Sequence, residues 1–153
     1  QGWVNDHAYD GGGLTEDEAA LRQWYAELLS GPVHDPAVRG SGFWGLEYVN
    51  NSGASPGFPD DLYTFARFQP DAGRLVVVVA NFRPGAAVSG QVKLPTDLLD
   101  AAGIPDGPLE VRRIFDERGG VDELTGQTDR QGLSELGFTA SISDQAAAVF
   151  VVE

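Results

Sequence analysis

A chain of 153 residues is long enough to close one hydrophobic core and too short to call for two. Its 23 acidic and 10 basic residues leave a formal charge of -13, which excludes electrostatic capture of nucleic acid or of an anionic membrane surface, while 42% hydrophobic residues excludes an acidic disordered coil. Cysteine is absent, and with it disulfides, thiolate metal sites and cysteine nucleophiles; the longest apolar run, residues 75–80, falls far short of the roughly 18 to 20 residues of a membrane-spanning helix.

The chain opens on Gln1 and contains no methionine, so it reads as a soluble piece of a longer protein. Lys93 is the only lysine, as GC-rich bacterial coding or adaptation to high salt would each produce, and cytoplasmic and secreted settings both fit. Near the start, Asn5-Asp6-His7 sets an imidazole beside a carboxylate. Adjacent side chains in extended backbone point apart, and His34 is the only other histidine, so neither a metal site nor an acid–base pair is expected. Gly11-Gly12-Gly13 lacks the Lys-Ser/Thr of a phosphate loop and is followed by Glu16, Asp17 and Glu18, which repel anions; it reads as a flexible turn.

Thr15 stands three residues before Glu18, a capping box, and acidic residues fill the first turn after it. Leu21, Trp24, Tyr25, Leu28 and Leu29 follow at spacings of three and four, and Ser30-Gly31-Pro32 ends the pattern. The spacing predicts a helix over about 16–29 with one apolar stripe. At roughly 1.5 to 3 kcal/mol for each large side chain buried, such a stripe calls for an apolar surface to cover.

Beyond the helix the period changes to two and turn residues recur at short intervals, the pattern of an antiparallel sandwich. Strands are predicted over 43–49, 62–68, 75–82, 88–94, 109–115, 133–139 and 147–152. The Leu-Val-Val-Val-Val-Ala run at 75–80 is apolar on both faces, which places it in mid-sheet between two layers. Residues 51–61 read as a long hairpin connection, and 96–102 as one or two helical turns between Pro95 and Gly103.

Several groups could in principle perform chemistry. Asp60-Asp61, Asp116-Glu117 and Asp122-Glu123 supply the paired carboxylates of glycoside hydrolysis, yet each pair is adjacent in sequence and set among turn residues, and no catalytic role is assigned. No Gly-x-Ser-x-Gly occurs, no metal or cofactor is expected, and Asn50-Asn51-Ser52 matches a glycosylation acceptor. Trp44 and Tyr48 on one strand and Tyr63 on the next could form an aromatic platform for a sugar ring. Alternation places Leu46 in the same row as Trp44 and Tyr48, so core packing is the first reading of that row and sugar binding the second.

Trp3-x-Asn5, Tyr9-x-Gly11-Gly12-Gly13-Leu14-Thr15 and Leu21-Arg22-x-Trp24-Tyr25-x-x-Leu28-Leu29, taken in order, resemble the end of the catalytic domain in the α-amylase family of glycoside hydrolases, family 13. Leu62-Tyr63-Thr64-Phe65-Ala66-Arg67-Phe68, followed by Arg74 and the strand ending Ala80-Asn81-Phe82, is similar to the C-terminal domain of that family, as are Leu124-Thr125-Gly126 and the closing strand from Ala147. The resemblance implies a mainly β chain: an N-terminal segment, 1–39, like the last helix around a (β/α)8 barrel, then an antiparallel, Greek-key-like β-sandwich over 40–153. It implies a non-catalytic accessory domain whose helix stripe, Leu21, Trp24, Tyr25, Leu28 and Leu29, packs on the catalytic barrel of the same parent chain, an enzyme acting on α-glucan. The catalytic carboxylates of that family lie on the barrel, so no residue here inherits their role.

Overall fold

The computed structural model describes residues 14–153, so Asn5-Asp6-His7 and Gly11-Gly12-Gly13 lie outside the described residues. Helix α1 spans Glu16–Ser30 and opens on the expected capping box: Thr15 Oγ1 accepts from Glu18 N (3.3 Å), and Thr15 N donates to Glu18 Oε2 (2.8 Å). Periodicity did not predict the next two elements, a 3-10 turn at Pro32–His34 and helix α2 at Pro36–Arg39, both too short to show a repeat. Each starts on proline, whose fixed φ suits a first helical position, and the Asp35 carboxylate caps α2 at Ala37 N (2.8 Å).

The strands are β1 (Gly42–Gly45), β2 (Leu62–Phe68), β3 (Leu75–Asn81), β4 (Val88–Val92), β5 (Leu109–Asp116), β6 (Gly119–Thr128), β7 (Phe138–Ile142) and β8 (Ala147–Val152), with helices α3 (Thr96–Ala101) and α4 (Arg130–Glu135) between them. Six strands form one antiparallel sheet in the order β1-β2-β3-β8-β5-β6, and β4 pairs with β7 in a second. The result is a mainly β, antiparallel sandwich-like fold with an N-terminal helix. As the apolar run at 75–80 required, β3 lies inside the large sheet between two other layers.

Three strand expectations need correction. The strand predicted over 43–49 ends at Gly45, because the Leu46 carbonyl accepts from Val49 N and Asn50 N and closes a turn; Tyr48 therefore lies outside the sheet. The segment 133–139 divides into the end of α4 and the start of β7, with Asp129 capping α4 at Gly132 N (2.7 Å). Alternation did not mark β6 as a strand, since it is an edge strand with a single buried residue.

The main core lies between the inner face of the large sheet and the layer made by β4, β7, α3 and α4, where Val77, Val79, Phe150 and Val152 meet Val92, Leu98, Leu99 and Ile142. Two buried asparagines fasten this sandwich. Asn50 donates to Lys93 O (3.0 Å) and accepts from Lys93 N (2.8 Å), joining the β1–β2 connection to the end of β4; at 3% exposure it is closed to glycosylation. Asn81, at 2% exposure, donates to Ala86 O (2.9 Å) and Ser143 O (2.8 Å) and accepts from Arg83 N (2.8 Å). Arg67 donates to the carbonyls of Val38 and Gly40, which holds α2 on β2.

Most arginines are similarly engaged: Arg74 with Asp35 and Glu153, Arg83 with Asp61, Arg112 with Asp122, Arg113 with Glu123, and Arg130 with Asp100. The excess of 23 acidic over 10 basic residues thus faces itself across the surface. Screening of that repulsion over about 10 Å at 0.1 M salt is expected to raise Tm from dilute buffer to molar KCl, as a calorimetric salt series would read.

Candidate functional site

The outer face of the large sheet is half covered. Trp24 and Leu28 of α1 and Ala37 of α2 pack on Val76, Phe115, Val149 and Val151, a second and smaller apolar cluster. The Trp24 ring meets Phe115 edge-on (centroids 5.0 Å, 62° between planes), and its Nε1 donates to Asp116 O (2.9 Å). Glu27 reaches the same β5–β6 hairpin and accepts from Gly120 N (2.9 Å). The turn itself requires Gly119, which has a φ of 102°.

The hairpin has its own electrostatic anchor. Burial pushes the Asp116 carboxyl upward, but Arg118 overcomes this through bonds from its guanidinium and its backbone N–H, helped by the charge of Arg113, and the carboxyl titrates below the usual aspartate range. A depressed pKa contributes stability above the unfolded-state value of about 4, and this is lost as pH falls through the lower folded value. Arg118→Ala removes the main opposition to burial, so the acid loss of Tm is expected to begin at higher pH than in the parent; melting curves from neutral to acid pH check this.

The helix stripe is therefore divided. Trp24 and Leu28 face the sheet, whereas Leu21, Tyr25 and Leu29 are exposed. Between α1 and the end of β3 lies an open groove of about 890 Å³, with Leu21, Trp24, Tyr25 and Phe82 among its apolar walls and Glu117 and Asp144 among its polar ones. Beyond it an aromatic row crosses the part of β1 to β3 that the helices leave uncovered: Phe82 to Tyr63 (centroids 6.5 Å), Tyr63 to Phe65 (6.0 Å), and Phe65 stacked on Phe43 (5.7 Å). Contiguous apolar exposure of this kind marks an interaction surface.

Of the proposed sugar platform, Trp44 and Tyr48 come together, Trp44 Nε1 donating to the Tyr48 hydroxyl (3.1 Å). Tyr63 is on the opposite face: Trp44 pairs with the inward Ala66 and packs against the main core, while Tyr63 alternates with the inward Leu62 and Thr64. Tyr63 instead meets Glu47, whose hydrogen bond and charge raise the pKa of the phenol. Sequence reasoning did not single out Phe82 or Glu47; the signal for Phe82 was its place one residue after Asn81, at the end of an apolar strand.

The adjacent carboxylate pairs are taken up structurally. Asp60 accepts from Ser52 N (2.8 Å) and Ser52 Oγ (2.7 Å), which hold its pKa down; Asp61 pairs with Arg83; and Glu117 accepts from Ser143 Oγ (2.6 Å). Among the described residues no three histidine or carboxylate side chains are placed to hold a metal ion, and no helix is long and apolar enough to cross a membrane. The exposed His34 closes the 3-10 turn.

No protein-family model matches the sequence, and no curated protein matches it. Solved structures similar to this chain include CelM2, a bifunctional glucanase-xylanase protein from a metagenome library, at 16% identity over 61% of this chain and 16% of that one, with a TM-score of 0.37. Others are the glycoside hydrolase family 30 subfamily 8 xylanase Xyn30A from Clostridium acetobutylicum (14% identity, 65% and 22% covered, TM-score 0.35) and the thermostable GH51 α-L-arabinofuranosidase from Thermotoga petrophila RKU-1 (16% identity, 61% and 19% covered, TM-score 0.35). The matched part is thus at most about a fifth of the length of these three chains, and no residue role passes from them to this one.

Proposed function

We propose that this chain is a non-catalytic accessory domain of an α-glucan-acting glycoside hydrolase resembling the α-amylase family, and that its helix-side face docks on the catalytic (β/α)8 barrel of the parent enzyme. The observation that carries the reading is the divided stripe. Two of its five residues, Trp24 and Leu28, close the domain's own second cluster, and three, Leu21, Tyr25 and Leu29, face outward, the first two of them beside an apolar groove. The order of the family-like motifs from Leu21 to Val151 supports the choice of partner. Within those motifs Arg67 and Asn81 fasten the sandwich.

Reducing-sugar release from soluble starch, measured for the natural full-length enzyme and for this chain alone, is expected only from the former. Activity of this chain by itself would overturn the non-catalytic assignment, and inactivity of both would remove the α-glucan reading. The docking element has its own test. Leu21→Glu is expected to leave the Tm of this chain within about 2 °C, because an exposed substitution changes stability by less than ~0.5 kcal/mol, yet to shorten the thermal-inactivation half-life of the full-length enzyme.

A further inference from the structure

We propose that the cleft beside Tyr63 and Phe82, next to the docking groove with which it shares the Phe82 ring, is a carbohydrate-contact site that takes a neutral pyranose ring of an oligosaccharide. The cleft, of about 310 Å³, is lined by Glu47, Asn51, Asp60, Asp61, Tyr63 and Phe82 among others. Phe82 is 68% exposed, so its ring is held in the open at the end of β3 rather than in the core. It meets Tyr63 at 67° between planes, and the pair offers two inclined apolar surfaces at one side of the cleft. The C–H face of a pyranose stacks on such rings, while its hydroxyls, donors as well as acceptors, point outward.

The other walls supply what those hydroxyls need. Glu47 is held at the Tyr63 phenol, Asp60 is fixed by two bonds from Ser52, and Asp61 is oriented by Arg83 (2.5 Å). An ionised carboxylate has about four lone-pair positions. The partners present therefore orient these groups and leave acceptor capacity toward the cleft.

Other ligand classes fit less well. Three carboxylates repel a phosphate or sulfate. An apolar protein segment would desolvate Glu47 and Asp60 without giving them donors. Among the described residues no carboxylate cluster is close enough to hold a metal ion. A neutral polyol with one apolar face satisfies both the rings and the acceptors.

The test is a titration of the 15N-labelled chain with maltoheptaose, cellohexaose and xylohexaose in turn, followed by amide chemical shifts. One probe is expected to give saturable changes at Ser52, Asp60, Asp61, Tyr63 and Phe82 with a millimolar Kd, weakened about tenfold in Phe82→Ala. Because Phe82 lies outside the core, that variant is expected to keep the parent spectrum elsewhere. Tyr63→Phe keeps the ring but frees Glu47, and is expected to weaken binding less. Three results overturn the proposal: no saturable change with any probe, binding equal in Phe82→Ala and parent, or changes centred on Trp44 and Tyr48 at the sheet edge.

Discussion

Asn81→Leu is expected to destabilise the chain by about 3 kcal/mol, read as a lower midpoint of urea unfolding with an unchanged slope. The side chain is nearly isosteric, so little packing is lost. What disappears is a set of bonds that nothing replaces: Ala86 O and Ser143 O lose their donor, and Arg83 N loses its acceptor. Each buried backbone group left unpaired costs about 1 to 3 kcal/mol, and water reaching the outer part of the site keeps the sum at the lower end of the combined range. Asn81→Asp is expected to be at least as damaging, because it brings a carboxylate against carbonyl oxygens in place of an N–H donor. A loss below about 1 kcal/mol in Asn81→Leu would mean that apolar burial alone fixes the turn before β8 against the end of β3.

Trp24→Ala is expected to cost about 3 kcal/mol and to release α1 from the sheet. Truncating a well-packed tryptophan typically costs 3 to 5 kcal/mol, and the partial exposure of Trp24 places it at the lower end. The loss has two separable parts, the ring on Phe115 and the Nε1 bond to Asp116 O. Trp24→Phe keeps most of the first and removes the second, so its expected cost is about 1 kcal/mol. Hydrogen exchange distinguishes undocking from global unfolding: amides of α1 are expected to lose protection far more than those of β3, whose inner face stays in the main core. Equal loss at both would show that α1 belongs to one cooperative unit with the sandwich.

These two variants also separate the parts of the molecule that sequence made legible from the parts it did not. The capping box, the helix stripe and the doubly apolar β3 are local signals, each set by the repeat of its own element, and each appears where expected. Alternation failed at β6 and in the extension of β1 to residue 49, because an edge strand has no buried row to alternate with and a turn closed by Leu46 O has no period. Paired carboxylates were visible as pairs, but only the fold shows that Asp116 is bound to Arg118 while Asp60 faces a cleft.

By itself, the sequence determined an acidic chain, mainly antiparallel β with a capped N-terminal helix, because charge and periodicity are properties of the chain alone. The tertiary structure decided which side of each element meets which neighbour. It turned Trp24 and Leu28 inward and Leu21 and Tyr25 outward, set Trp44 and Tyr63 on opposite faces, and brought Phe82 beside Tyr63 across the β2–β3 pairing. A helical or strand period fixes that a stripe exists, but the partner that covers it is chosen by strand order and register, and these depend on contacts between residues far apart in the chain.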